Sequence, residues 1–167
     1  MSGGFHVAAL DGAHAREAFD SGVDALDRYL RQQATQDQRR RVSSCFVALD
    51  GERIAGYYTL ASASVALGDL PQLVARRLPR YPTIPAVRMG RLAVDLAYRG
   101  RGLGAALLAD ALERVLRADI AAWALLVDAK DEAAVAFYQH HGFVAFADLP
   151  RTLFLPVATA RAARDRS

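Results

Sequence analysis

The chain has 167 residues, a formal net charge of +3, 53% hydrophobic residues and 23% charged ones. That is the length of one ordinary domain with a sizeable core, and the balance excludes a disordered chain. The single cysteine, Cys45, excludes an internal disulfide and a paired-cysteine zinc site, and no apolar run approaches the roughly 18 residues of a membrane span.

The N-terminus lacks the charged start and apolar stretch of a secretory signal, so the expectation is a cytoplasmic protein with no membrane role. Lysine and arginine total 21, and all but Lys130 are arginine. Arginine grips phosphate bidentately where lysine acts as a point charge. The count alone names no partner, because arginine over lysine with abundant alanine also follows from GC-rich coding. His6, His14, His140 and His141 give no H-E-x-x-H spacing, so no metal is expected.

In chain order, residues 5–10 read as a strand. Val23, Leu26, Leu30 and Ala34 recur at helical spacing through residues 23–38, with Ser21 and Gly22 as a start signal. Residues 42–49 and 53–61 are strand-like, and Asp50-Gly51 between them signals a hairpin. Residues 70–78 suggest a short helix. Pro79, Pro82 and Pro85 are then expected to forbid regular structure as far as Ala86.

Residues 87–95 form the next expected strand and 102–117 a helix. Asp110, Glu113, Arg114 and Arg117 would share one solvent face of that helix. Residues 122–128 read as a strand and 131–141 as a helix, with Asp131 at its N-cap and Gly142 as its stop. Residues 143–147 and 152–157 are the last candidate strands. Early hairpins and later βαβ units argue for a mixed α/β chain with helices on a mixed sheet. Residues 1–157 would be a single domain and 158–167 a frayed basic tail.

The stretch that carries chemistry is Arg99-Gly100-Arg101-Gly102-Leu103-Gly104, between a strand and a long helix. Glycines let a backbone approach a ligand, and the first N–H groups of the helix favour an anion. Gly100, Gly102 and Ala105 also satisfy G-x-G-x-x-A. However, the match follows a late strand, and Asp119, at the spacing of a ribose-binding acid, lies at a helix end. A Walker A loop is excluded because Ala105 and Ala106 follow Gly104. A tight turn with a charged rim is the remaining reading.

Arg99 to Gly104 resembles the acetyl-CoA phosphate loop of the GNAT superfamily of N-acetyltransferases, Arg/Gln-x-x-Gly-x-Gly/Ala in the same setting. Downstream, Ala134, Phe137, Tyr138, Gly142 and Phe143 resemble that family's A-x-x-F-Y-x-x-x-G-F segment. Two ordered motifs are far more specific than either alone. The resemblance extends over nearly the whole chain to the TacT-type toxins of type II toxin–antitoxin pairs. It runs through Phe19 to Gly22, Leu26 to Leu30, Gln36 to Arg41, Gly56 to Leu60, and Leu78 to Pro82 onward to Asp95. Ser21 departs from a cysteine common in that group.

This resemblance implies a GNAT fold, a mixed and mostly antiparallel central sheet flanked by helices, with a V-shaped opening between the two central strands. It implies acetyl-CoA as co-substrate and acetylation of the α-amine of aminoacyl-tRNA, which blocks translation. A ribbon-helix-helix antitoxin and a homodimer are the implied partners. Main-chain N–H groups around Arg101, Gly102, Leu103, Gly104 and Ala105 would hold the pyrophosphate, with Gly100 in the same cofactor-binding loop, while Arg99 and Arg101 side chains either add charge or stay solvated. Leu92, Ala93 and Val94 would run beside the pantetheine arm, with one N–H there donating to the thioester oxygen. Tyr138 would be the general acid to the leaving sulfur.

The α-amine of an aminoacyl ester is largely neutral near pH 7, so no strong general base is required. His140 and His141 read as surface caps at a helix C-terminus, and Asp95 and Asp128 as structural before catalytic. Arg39, Arg40, Arg41, Arg76, Arg77, Arg80, Arg88 and Arg91 are the candidates for tRNA phosphate contacts; their alternative is a solvated face. Tyr57, Tyr58 and Tyr81 are expected to pack. The alternatives to the tRNA reading are a GNAT enzyme acting on a protein amine or small-molecule amine, or a non-enzymatic acetyl-CoA-binding regulator or DNA-binding partner.

Overall fold

The computed structural model describes residues 4–166. Its strands are β1 (Phe5–Ala9), β2 (Ser44–Asp50), β3 (Arg53–Ala66), β4 (Thr83–Val94), β5 (Ala124–Asp128), β6 (Val144–Ala145) and β7 (Thr152–Pro156). Its helices are α1 (Asp24–Gln32), α2 (Ala34–Arg39), α3 (Gln72–Ala75), α4 (Leu103–Arg117), α5 (Glu132–His140) and α6 (Val157–Asp165). Among the described residues the strands form one seven-stranded sheet in the order β1-β2-β3-β4-β5-β7-β6. The pairings β1/β2, β2/β3, β5/β7 and β6/β7 are antiparallel and β4/β5 is parallel. This is the mixed, mostly antiparallel sheet that the resemblance implied.

Several elements differ from the sequence reading. The expected helix over 23–38 is two helices, because Gln33 leaves the helical region at φ −122° and ψ −31°. Leu30 and Ala34 are both buried on either side of the break, so the apolar spacing runs through it unmarked. β3 extends to Ala66, past the expected 61, through small alternating residues of weak strand propensity. β4 starts at Thr83 and includes Pro85. Ile84 and Ala86 are buried on one side, Pro85 is exposed, and its carbonyl accepts the Trp123 N–H at 2.8 Å. That bond uses the proline carbonyl and needs no N–H from Pro85.

The expected frayed tail is largely the helix α6. Its first residue, Val157, donates to the Trp123 carbonyl at 2.7 Å, and Arg164 pairs with Glu113 at 3.0 Å. Alanine-rich sequence favours that helix. Ser167 lies outside the described residues. The polar stripe on α4 is also more than a solvated face: Asp110 accepts the Tyr58 hydroxyl, and Glu113 pairs with both Arg117 and Arg164.

The chain divides into two compact units, residues 1–61 with 90–111, and residues 62–89 with 112–167. In the first, Tyr29 and Leu30 of α1 and Ala34 of α2 pack on Val47, Ile54, Tyr57 and Ala93 of the strands, with Leu10 and Phe19 closing the core. In the second, Val65, Ala86, Ala124, Leu126, Phe146 and Phe154 form the core, with Val74 and Ala75 of α3 against them. The β4/β5 ladder registers Ala86–Met89 against Ala124–Val127. β4 then runs on through Val94, past the last registered pair, and leads into the glycine loop.

Candidate active site

The glycine loop begins where β4 ends. Asp95 is only 2% exposed, and its carboxylate accepts three donors: the Asp20 N–H at 3.0 Å, the Ala97 N–H at 2.9 Å and the Arg53 guanidinium at 3.3 Å. The Asp95 N–H donates to the Ala55 carbonyl at 2.8 Å. Ala55 is the residue that the β2/β3 register skips, between the Ala48–Gly56 and Leu49–Ile54 pairs. A bulge in one strand thus fixes the exit of another. Asp95 has the structural role that the sequence favoured.

A short 3₁₀ turn, Leu96–Tyr98, follows. Tyr98 donates its hydroxyl to Asp50 at 2.7 Å, and Arg99 donates to the Ser21 carbonyl at 2.8 Å. Gly100 and Gly102 then adopt φ of +78° and +77°, in the left-handed region open to glycine. A Cβ built on either meets no atom within 4 Å, so the outer side of the turn is open space. The first ladder bond of α4 is Ala106 N–H to the Gly102 carbonyl at 3.0 Å. The N–H groups of Leu103, Gly104 and Ala105 therefore precede the ladder and have no carbonyl four residues back within the helix. An anion is the natural acceptor for such a group of donors.

Arg99 and Arg101 differ. Arg99 is spent on the Ser21 carbonyl, whereas the exposed Arg101 guanidinium lies 5.1 Å from the centre of the Tyr98 ring. Leu92, Ala93 and Val94 occupy the end of β4, with Ala93 buried and the other two half-buried.

In the second unit, Asp131 caps α5 by accepting the Ala134 N–H at 2.8 Å. Tyr138 is 6% exposed and lies between two rings, Phe137 at 5.2 Å and Phe143 at 5.5 Å. Burial first, and then the Asp128 charge, push its phenol up to about 12. The phenol therefore stays protonated at neutral pH, the state a proton donor needs. Asp128 accepts from Arg88 and from the Thr152 hydroxyl. His141 packs edge-on against Phe137 at 4.8 Å, and burial and His140 hold its pKa below the ordinary value. The helix end does not make it a cation.

The eight candidate tRNA arginines separate into two groups. Arg39, Arg40, Arg41, Arg76, Arg77 and Arg80 are exposed. Arg88 is ion-paired with Asp128, and the Arg91 guanidinium sits 3.5 Å over the Tyr29 ring. Tyr57 and Tyr58 are fully buried, as expected, but Tyr81 is 63% exposed. Tyr29 and Asp37 received no role from the sequence. Their hydroxyl–carboxylate bond of 2.7 Å spans eight residues and two helices, and no local pattern announces it. Among the described residues no cluster of three metal-ligating side chains occurs, and no helix is long and apolar enough to cross a membrane.

A strand that ends on a buried carboxylate, a glycine turn and an open helix N-terminus are the parts of an acyl-CoA-handling enzyme. The family model described as acetyltransferase (GNAT) family matches residues 12–143, and the chain belongs to that family. It is 40% identical over 164 residues to the tRNA-acetylating toxin of Mycobacterium tuberculosis (strain ATCC 25618 / H37Rv), covering 97% of this chain and 98% of that protein. Among solved structures it is similar to AtaT complexed with acetyl-methionyl-tRNAfMet. That match has TM-score 0.89 and 27% identity, covering 96% of this chain and 99% of that one. A tyrosine-to-phenylalanine mutant of the AtaT toxin, bound to the C-terminus of the antitoxin AtaR and acetyl-CoA, matches with TM-score 0.82 and 26% identity. There the coverage is 96% and 98%.

Proposed function

We propose that this chain is an acetyl-CoA-dependent N-acetyltransferase toxin that acetylates the α-amine of aminoacyl-tRNA. The observation that carries this reading is the open glycine turn at the start of α4, in a chain alike over 97% of its length to a tRNA-acetylating toxin. Acetyl-CoA supplies an acetyl thioester. The residues present fit it: the turn has room on its outer side, and three N–H groups precede the helix ladder.

In this reading the N–H groups of Leu103, Gly104 and Ala105, with Gly100, Arg101 and Gly102 shaping the turn, hold the pyrophosphate. Arg101 adds charge, and Arg99 acts by tying the loop to Ser21. Leu92, Ala93 and Val94 line the pantetheine arm, and one N–H there donates to the thioester oxygen as charge develops. Tyr138 gives its proton to the departing sulfur. A phenol at about 12 is a weaker acid than a free thiol near 8.5, so the transfer is uphill even to a full thiolate unless the site disfavours that thiolate as well.

Arg39, Arg40, Arg41, Arg76, Arg77 and Arg80 contact tRNA phosphates in this reading, whereas Arg88 holds Asp128. The protein acts in the cytoplasm as a single domain over residues 1–157, works as a homodimer and is neutralised by a ribbon-helix-helix antitoxin. The AtaT–AtaR complex supports an antitoxin as partner. The test is incubation with labelled acetyl-CoA and total charged tRNA. The expected product is acetyl-aminoacyl-tRNA, its amino acid identified by mass; no labelled product with any amino acid overturns the reading.

A further inference from the structure

A cavity of about 310 Å³ lies in the same unit as the glycine loop, lined by Leu26, Arg28, Tyr29, Gln32, Gln33 and Arg91. Its wall is preorganised. Asp37 accepts the Tyr29 hydroxyl at 2.7 Å on one oxygen and the Gln33 amide at 2.9 Å on the other, which fixes the plane of the ring. Arg91 is in turn fixed by that ring, 3.5 Å above it. A planar cation stacked on one ring presents its opposite face to a second flat group. Arg28 contributes another guanidinium, paired with Asp24 at 2.9 Å, and Gln32 an amide with both donors and an acceptor.

Size and position narrow the occupant. The volume is at the low end of small-ligand sites, about 300–1,000 Å³, which suits one nucleotide and no larger element. Arg91 precedes Ala93 by two residues on β4, roughly 7 Å at the rise of an extended strand. In the function proposed above, Leu92 to Val94 carry the thioester. An amine esterified to a terminal ribose must reach that strand, so the nucleotide bearing it has to sit about this far away. A carboxylate from an acidic peptide would use the edge of a guanidinium and leave the stacked face idle.

We propose that this cavity holds the 3′-terminal adenosine nucleotide of the charged tRNA, its base stacked on Arg91 and its phosphate toward Arg28. The proposal rests on the aminoacyl-tRNA reading. It is tested with the accepted amino acid presented as an ester of adenosine 5′-monophosphate and as a methyl ester. Wild type prefers the nucleotide ester in kcat/KM by about 10-fold or more, the scale of one base stack. Arg91→Met and Arg91→Lys both bring that preference near unity through KM, with the dissociation constant of acetyl-CoA unchanged.

No preference in wild type, or full preference in Arg91→Met, overturns the subsite. Full preference in Arg91→Lys reduces the contact to a point charge and overturns the stacking. An acidic peptide whose inhibition is relieved by Arg91→Met, with the ester preference intact, assigns the cavity to a protein and overturns the proposal. Failure of wild type on charged tRNA overturns the parent reading; acetylation of charged tRNA without the ester preference overturns only this one.

Discussion

The glycine loop and the Tyr138 segment are positioned by opposite means. Residues 95–105 are tied by polar bonds: a buried carboxylate with three donors, Tyr98 to Asp50, and Arg99 to Ser21. Tyr138 is held by aromatic packing between Phe137 and Phe143. The difference follows from the tasks proposed for them. Main-chain N–H groups bind an anion well only if the backbone is fixed, and hydrogen bonds from neighbouring loops fix it. A phenol donor must remain protonated, and apolar burial ensures that by disfavouring phenolate.

The largest expected effect separates the two regions. Tyr138→Phe keeps the ring packing and removes the proton, so kcat should fall by about 10²–10⁴ while the affinity for acetyl-CoA stays at the wild-type value. Single-turnover rates and calorimetry measure both; an equal loss of affinity would place Tyr138 in binding. Gly102→Glu should do the reverse. Its Cβ meets nothing within 4 Å, so the damage comes from φ of +77° and from negative charge at the anion site. Acetyl-CoA binding should weaken by about 100-fold or more, with the fold retained by circular dichroism.

Gly56→Ala probes the support of the strand beside the loop. A Cβ there falls 2.9 Å from the Ala93 carbonyl oxygen and 2.9 Å from Leu107 Cδ1. The backbone oxygen cannot move as a side-chain end can, so the substitution should cost about 1–3 kcal/mol and lower Tm by several degrees. Thermal melts of Gly56→Ala check this, and an unchanged Tm would show that the strands part freely at this point.

The glycine loop and the helix carrying Tyr138 were legible because glycine spacing, the Asp131 cap and the apolar period are all local signals. What the sequence hid is nonlocal. The Gln33 break falls inside an unbroken apolar period. The β2/β3 bulge that leaves Ala55 to hold Asp95 has no marker among Ala, Leu and Gly. Among the arginines, composition and clustering could not separate Arg88, paired across strands to Asp128, from exposed Arg80. Charge counts see only identity; partners forty residues away decide which guanidiniums remain available.

The smallest expected effect is a null one, and it reports on the hydrogen-bonded region. Cys45 is 1% exposed, its N–H donates to the Gln38 side-chain oxygen at 2.9 Å, and it packs in the core with Tyr29 and Tyr57. Burial pushes its thiol up to about 12, against the opposing pull of Arg16 and Arg91. At pH 8 only about one thiol in 10⁴ is then thiolate, compared with roughly a quarter for a free cysteine near 8.5. A thiol reagent should therefore leave the folded protein unlabelled over hours and label one site per chain in denaturant. Slow labelling measures opening of this core, which includes Ala93 of the strand that leads into the glycine loop. Acetyl-CoA at 100 times its dissociation constant should slow labelling by about 100-fold. That protection should survive Tyr138→Phe and vanish in Gly102→Glu; protection lost in Tyr138→Phe would break the division between a region that binds and a region that donates the proton.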